Sequence, residues 1–205
     1  MNTKEMILET ARQLFNQHRS TNVSTKLIAS EMGISPGNLY YYFRNKEEII
    51  RCLYDQLSAA MDELFWDSEA RKTEAGIVQF YKDFGRLQKH YRFFYLELSV
   101  LVRNDPVLLE TYRRRSDRVR KQFNDVFLYW VSIGIMKPFK SEEERETLVL
   151  NVWTLGQLWI THADILDANI PPEAIQRGIL RLHALLRPYF TASSNRKMER
   201  LLKQT

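Results

Sequence analysis

Residues 24–46 read STKLIASEMGISPGNLYYYFRNK, and the layout of this stretch decides the architecture. Ser24 is an N-cap residue type standing ahead of Ile28, Ala29 and Met32, which carry the spacing of a short helix. Gly33 follows where a left-handed residue is wanted to end that helix. Ser35-Pro36 then gives a second N-cap with proline at the first helical position. Leu39, Tyr40 and Phe43 supply the buried side of the second helix. Two short helices joined by a glycine-containing turn make a helix-turn-helix. Once Leu39 and Phe43 turn inward, the exposed side carries Pro36, Gly37, Asn38, Tyr41 and Tyr42, with no acid between Ile34 and Lys46. A tip of small, hydrogen-bonding residues can approach base edges, and tyrosine hydroxyls with a lysine behind them can hold phosphates.

Outward from this stretch, helical periodicity continues in both directions. Ile7, Ala11, Leu14 and Phe15 mark one face of a preceding helix that starts near Thr3. Acids at Glu47 and Glu48 open a long fourth helix carrying Ile49, Ile50, Leu53, Leu57, Met61 and Leu64; the helix dipole favours them there. Five more helices are predicted at about 74–89, 92–103, 106–134, 142–168 and 172–189, separated by Asn104-Asp105-Pro106, Lys137-Pro138 and Asn169-Ile170-Pro171-Pro172. The fold class is therefore all-α: an N-terminal three-helix head with the helix-turn-helix, and a larger C-terminal helical body, about nine helices in all. The predicted domains are 1–46 for the head, 47–190 for the body, and a polar basic tail over 191–205, whose last ten residues, from Arg196, are expected to fray.

Composition narrows the class. With 44% hydrophobic and 27% charged residues the chain is globular. Its 7 Gly and 6 Pro are too few for an all-β protein with many tight turns. The single cysteine, Cys52, excludes an internal disulfide framework and paired-cysteine metal sites, and fits a reducing compartment. The first eleven residues lack a signal-type apolar core, and the longest uncharged stretch, 147–163, is too short and too polar for a membrane span. The expectation is a cytoplasmic protein with no membrane partner. A formal charge of +5 permits a polyanionic partner without requiring one. Within residues 1–50, the cations Lys4, Arg12, Arg19, Lys26, Arg44 and Lys46 nearly balance Glu5, Glu9, Glu31, Glu47 and Glu48. Any DNA binding by the head rests on local placement.

The pattern I28-A29-x3-G33-I34-S35-x3-L39-Y40-x-Y42-F43-x2-K46-E47 resembles the signature of the TetR/AcrR family of transcriptional regulators; the match covers roughly Leu14 to Ile50. Two positions depart from it: Arg19 stands where a glycine is usual after the first helix, and Thr25 where an apolar residue is usual. The resemblance implies a dimer with a DNA-binding head and a body that senses a small molecule. It also implies roles for single residues. Lys26 reaches a base or flanking phosphate; Pro36, Gly37 and Asn38 read bases. Asn38 pairing with adenine is worth roughly 1–3 kcal/mol of discrimination. Tyr40 and Tyr41 touch thymine methyls or backbone, Tyr42 and Lys46 contact phosphates, and Ser24 and Thr25 are weaker contacts. Against these stand simpler roles: Ser24 and Ser35 as caps, Tyr40 as core, Lys46 as a solvated lysine.

Other signals are weaker. Gly33-Ile34-Ser35-Pro36-Gly37 fits a G-x-S-x-G nucleophile elbow, but that motif needs a preceding strand where the pattern here is helical. No catalytic constellation, cofactor or metal site is predicted; His162 with Asp164 and Asp167 follows no ligand spacing. The basic run Arg113-Arg114-Arg115 with Arg118, Arg120 and Lys121 reads as a solvated face or as a second acidic-partner surface. In the body, Trp66, Phe84, Tyr95, Trp130, Trp153, Gln157 and His162 are candidates to line and orient a small apolar ligand. Gly156, Trp159, Ile160, Gly178, Leu182 and Leu186, on the last two predicted helices, are candidates for a dimer interface. The function predicted is a ligand-responsive repressor that binds a near-palindromic operator as a homodimer and is released by a small molecule. The rival readings are a helical small-molecule-binding or scaffold protein that never uses its head and, further off, an enzyme.

Overall fold

A computed structural model describes residues 2–66, 72–167 and 169–203, the side chain of Trp66 excepted. Among these residues the secondary structure is helical: α1 (Thr3–His18), α2 (Thr25–Glu31), α3 (Pro36–Tyr42), α4 (Lys46–Trp66), α5 (Glu74–His90), α6 (Arg92–Asn104), α7 (Pro106–Ser132), α8 (Glu142–Leu166), α9 (Pro172–Leu186) and α10 (Ala192–Lys203). The only β pairing among them is an isolated antiparallel bridge between Met136 and Phe190. By packing, the chain forms two compact units, one of Met1–Ala60 with Tyr91–Tyr112, the other of Met61–His90 with Arg113–Thr205.

The first unit holds the helix-turn-helix. Asn2, one residue before the predicted start, caps α1: its side chain accepts from the Glu5 N–H while the Glu5 carboxylate accepts from the Asn2 N–H. Ile7, Leu8, Ala11, Leu14 and Phe15 bury one stripe of α1. Ile28 and Ala29 of α2, Leu39 of α3 and Phe43 are buried too, with α1 packed on α2 and α2 on α3. Arg19, which ends α1, has φ 70° and ψ 145°, a backbone region close to glycine-only. This is the position where the family pattern has glycine. From α6, Phe93 packs on Phe15 at 5.2 Å between ring centroids. Arg92 donates from Nε and Nη2 to the Asn16 carbonyl at 3.0 and 2.7 Å. Phe94 stacks on Tyr54 of α4 at 4.7 Å. The core of the head thus takes in α6, a helix far along the chain.

The second unit packs α5, α8, α9, α10 and most of α7 around Tyr81, Phe127, Trp130, Val152, Leu186, Phe190 and Met198. Ser141 caps α8 by accepting from the Glu144 N–H, and Glu142, Glu143 and Glu144 occupy its dipole-favoured first turn. Gln88 is fully buried and uses both ends of its amide, donating to the Gly156 carbonyl and accepting from Trp159 Nε1, each at 2.5 Å. Residues 196–203, in the stretch predicted to fray, belong to α10. It is polar overall, but Ser194, Met198 and Leu202 recur every four residues and are buried, so a helix hides a narrow stripe while the cations stay outside. Ser194 Oγ also donates to Glu74 at 2.9 Å, with Lys197 Nζ on the same carboxylate oxygen at 3.1 Å.

Candidate nucleic-acid interface

The helix-turn-helix is built as its caps dictate. Ser24 Oγ accepts from the Leu27 N–H at 3.2 Å to start α2, and Ser35 Oγ accepts from the Asn38 N–H at 3.2 Å to start α3. Pro36 sits in the first turn of α3, where its missing N–H costs nothing. Gly33 has φ 65° with open space around it, so conformation rather than crowding requires a glycine there. No strand precedes Ser35, and its hydroxyl is engaged as a cap; the nucleophile-elbow geometry is absent.

The tip of α3 faces solvent. Pro36, Gly37 and Asn38 are exposed, and Tyr41 is 83% exposed, unusual for so large an apolar ring. Tyr42, half-buried, meets Tyr41 edge-on at 5.0 Å. Gly37 is informative for what is missing. Its φ is ordinary, and a Cβ there would meet only Ser35 Oγ, at 3.9 Å. Nothing inside the protein demands a glycine in this first turn, where alanine would favour the helix. A bare backbone at an exposed tip suits close approach by another molecule.

The remaining DNA candidates differ in exposure and in what already holds them. Lys26 and Ser24 are exposed on α2. Tyr40 is 47% exposed, and its hydroxyl lies 3.0 Å from Thr25 Oγ1, bracing α3 against the start of α2. Lys46 is half-buried at the start of α4 and donates from Nζ to the Ser20 carbonyl at 2.6 Å. An ammonium has three donors, so two stay available to a phosphate.

The ligand candidates fall in both units. Tyr95 belongs to the first unit; Phe84, Trp130, Trp153, Gln157 and His162 belong to the second. The side chain of Trp66 lies outside the described residues. Phe84 stacks on Phe80 at 6.0 Å, Trp130 packs between Phe127 and Phe190, Trp153 and Gln157 are half-buried, and His162 is exposed. Phe84 lines a cavity of only ≈ 10 Å³ with Tyr81, Gly156, Trp159 and Gly178, no more than a single water would need. Two open grooves of ≈ 520 and ≈ 560 Å³, on α5/α9 and α7/α8, contain none of the candidates.

The dimer candidates require a correction. Gly156, Trp159, Ile160, Gly178, Leu182 and Leu186 are all buried within the chain's own second unit. A Cβ on Gly178 would stand 2.5 Å from the Trp159 ring, so these two residues serve contact between α8 and α9. The apolar side chains those helices leave exposed are Leu150, Leu158, Ile165, Leu166 and Leu180. On α8 the spacing 150, 158, 165 is one helical face, a signal present in the sequence but hidden because α8 is apolar nearly all round. The basic run on α7 is partly internal as well. Arg115, buried, and Arg118 both donate to Asp62 Oδ2 at 2.5 Å, and Arg120 pairs with Asp117.

The model of a family described as "Bacterial regulatory proteins, tetR family" matches residues 7–52, and that of "TetR: Bacterial transcriptional repressor" matches residues 56–198. A TetR-family transcriptional regulator from Marinobacter aquaeolei VT8 superposes with TM-score 0.89 at 30% identity, over 100% of this chain and 98% of that one. A putative transcriptional regulator from Saccharomonospora viridis in complex with choline aligns with TM-score 0.68 at 18% identity, covering 90% and 95% of the two chains, and shares the fold. SmeT in its triclosan complex does so with TM-score 0.64 at 16% identity, covering 94% and 93%. In sequence, the HTH-type transcriptional regulator UidR of Escherichia coli K12 is 37% identical over 51 residues, 25% of this chain and 26% of that protein's length.

Proposed function

The chain belongs to the TetR family of DNA-binding transcriptional regulators, and from that premise we propose that it is a non-enzymatic, ligand-responsive repressor acting in the cytoplasm. In this reading residues 1–46 bind double-stranded DNA and residues 47–190 bind an effector and a second copy of the chain. A twofold homodimer presents two α3 helices to successive major grooves of a near-palindromic operator, roughly 34–36 Å apart. The observation that carries the reading is the solvent-open tip Pro36-Gly37-Asn38, whose glycine has no purpose in the chain's own packing.

The effector is a small molecule. The complexes of two structural neighbours with choline and triclosan support this class, not either compound. Release needs only that the effector bind better to a state whose head spacing no longer fits the DNA. α4, which contributes residues to both packing units, is the lever in this proposal. The second copy docks on the exposed Leu150, Leu158, Ile165 and Leu180 of α8 and α9.

Selection of bound duplexes from a random DNA pool tests the reading. The parent is expected to enrich a near-palindrome with half-sites about one helical turn apart. Asn38→Ala relaxes preference at one base position per half-site, whereas Lys46→Ala weakens all sequences and lowers the salt slope by about one per half-site. The doubly substituted Leu158→Arg, Ile165→Arg chain runs as a folded monomer in sedimentation. A parent that enriches no sequence, or a double variant that stays dimeric, defeats the corresponding part.

A further inference from the structure

Ser20, in the turn between α1 and α2, is held from both sides. Its carbonyl accepts from Lys46 Nζ at 2.6 Å. Its N–H donates to Glu97 Oε1 at 2.8 Å, and its hydroxyl donates to Glu97 Oε2. Ser20 is 1% exposed and Glu97, on α6, is 8% exposed. A carboxylate so far from water is costly unless its lone pairs are met by donors, and here one residue supplies two of them. Ser20 therefore stands between an anion 77 positions later in the chain and an ammonium 26 positions later.

From this geometry we infer that Glu97 is a positioning residue for DNA binding: through Ser20 it fixes the Lys46 ammonium for contact with a phosphate. The inference rests on the proposed function. An unrestrained lysine side chain loses rotamer freedom when it meets a phosphate. Lys46 has surrendered much of that freedom already. Its Nζ is anchored at one donor, and the anchor is rigid because Glu97 holds both polar groups on the far side of Ser20. Asn16 strengthens the same joint. Its carbonyl takes Arg92 and its Oδ1 accepts the Phe93 N–H at 3.0 Å, so the start of α6 grips the last turn of α1, four residues ahead of Ser20. A displacement of α6 relative to α1 would withdraw the carboxylate from Ser20 and release the lysine.

The test is a double-mutant cycle on the duplex that the parent enriches from a random pool, read by fluorescence anisotropy at two salt concentrations. Glu97→Gln keeps the shape and can still meet both Ser20 groups, accepting from the N–H and donating to Oγ, but it removes the negative charge that makes the two bonds strong. Its binding is expected to weaken about fivefold, the order of one charge-assisted hydrogen bond partly lost. In the Lys46→Ala background the same change is expected to cost less than about twofold, because the lysine it serves is gone. Ser20→Ala, which leaves the peptide N–H on Glu97, repeats the pattern with a smaller loss and decides the matter alone if Glu97→Gln fails to fold by circular dichroism. Equal losses with and without Lys46, or a Glu97→Gln protein that binds like the parent, overturn the inference while leaving DNA binding intact. A parent without salt-dependent duplex binding overturns the functional reading and this inference with it.

Discussion

Gly37, at the tip of α3, and Gly178, in the middle of α9, sit in opposite surroundings. A Cβ on Gly37 would find only Ser35 Oγ at 3.9 Å, whereas one on Gly178 would enter the Trp159 ring, with three ring atoms within 2.9 Å. Both residues weaken a helix. At Gly178 the chain's own packing explains why. At Gly37 it does not, and the explanation has to come from outside the chain. The same contrast runs through the two regions. The α2–α3 pair leaves Asn38, Tyr41 and Lys26 in solvent, while the α8–α9 pair encloses Gly156, Trp159, Ile160 and Leu182 within its own unit. Residues left unexplained by folding are the ones available to a partner.

Substituting alanine at each glycine separates the two explanations. Gly178→Ala forces the Trp159 indole to move, and that indole is fixed by its bond to Gln88. Overpacking of this kind is expected to lower stability by about 1–3 kcal/mol, read as a reduced midpoint in urea with little change in slope. A variant as stable as the parent would show that the α8–α9 contact is looser than its geometry implies. Gly37→Ala is expected to do the opposite to the fold, stabilising it by about 0.5–1 kcal/mol. Its cost falls on DNA: a methyl between backbone and groove is expected to weaken binding to the enriched duplex about tenfold. A Gly37→Ala chain that is more stable and binds equally well would remove the strongest sign that α3 enters a groove.

The contrast also explains what could be read from sequence. Ser24, Gly33 and Ser35-Pro36 act within three or four residues of themselves, so the helix-turn-helix and the exposure of its tip were legible without knowing the rest of the chain. The all-α class followed from the same local signals. α10 was missed because only Ser194, Met198 and Leu202 among its residues are buried, and a narrow stripe in a basic segment resembles a solvated tail. The α8–α9 candidates were misassigned for a different reason. Leu148, Val149, Leu150, Val152 and Trp153 make α8 apolar on nearly every side, and period alone does not say which side a neighbour covers. That is decided by Trp159 needing the bare backbone of Gly178, a contact between helices. The Ser20–Glu97 link spans 77 positions and leaves no local trace.

The smallest expected effect tests the buried side of the comparison. His183, on α9 like Gly178, is 5% exposed, stacks on Phe190 at 5.9 Å and stands 6.4 Å from the Tyr81 ring. Neither ring nitrogen has a hydrogen-bond partner among the described residues, nor does the Tyr81 hydroxyl. Burial holds the imidazole below its usual pKa; Glu199 pulls weakly the other way and Arg187 adds to the depression. The unfolded chain therefore takes up this proton more readily than the folded one. Stability owed to His183 is independent of pH well above about 6.5, falls as pH drops below that value, and levels off once the folded-state pKa is passed. His183→Phe keeps a flat ring against Phe190 and removes the titration. Urea midpoints compared between about pH 7.5 and about pH 5.5 are expected to fall further for the parent than for the variant. Equal falls would mean that water or a polar neighbour already serves the imidazole, and that the core around α9 is less dry than the packing of Trp159, Gly178 and Tyr81 makes it.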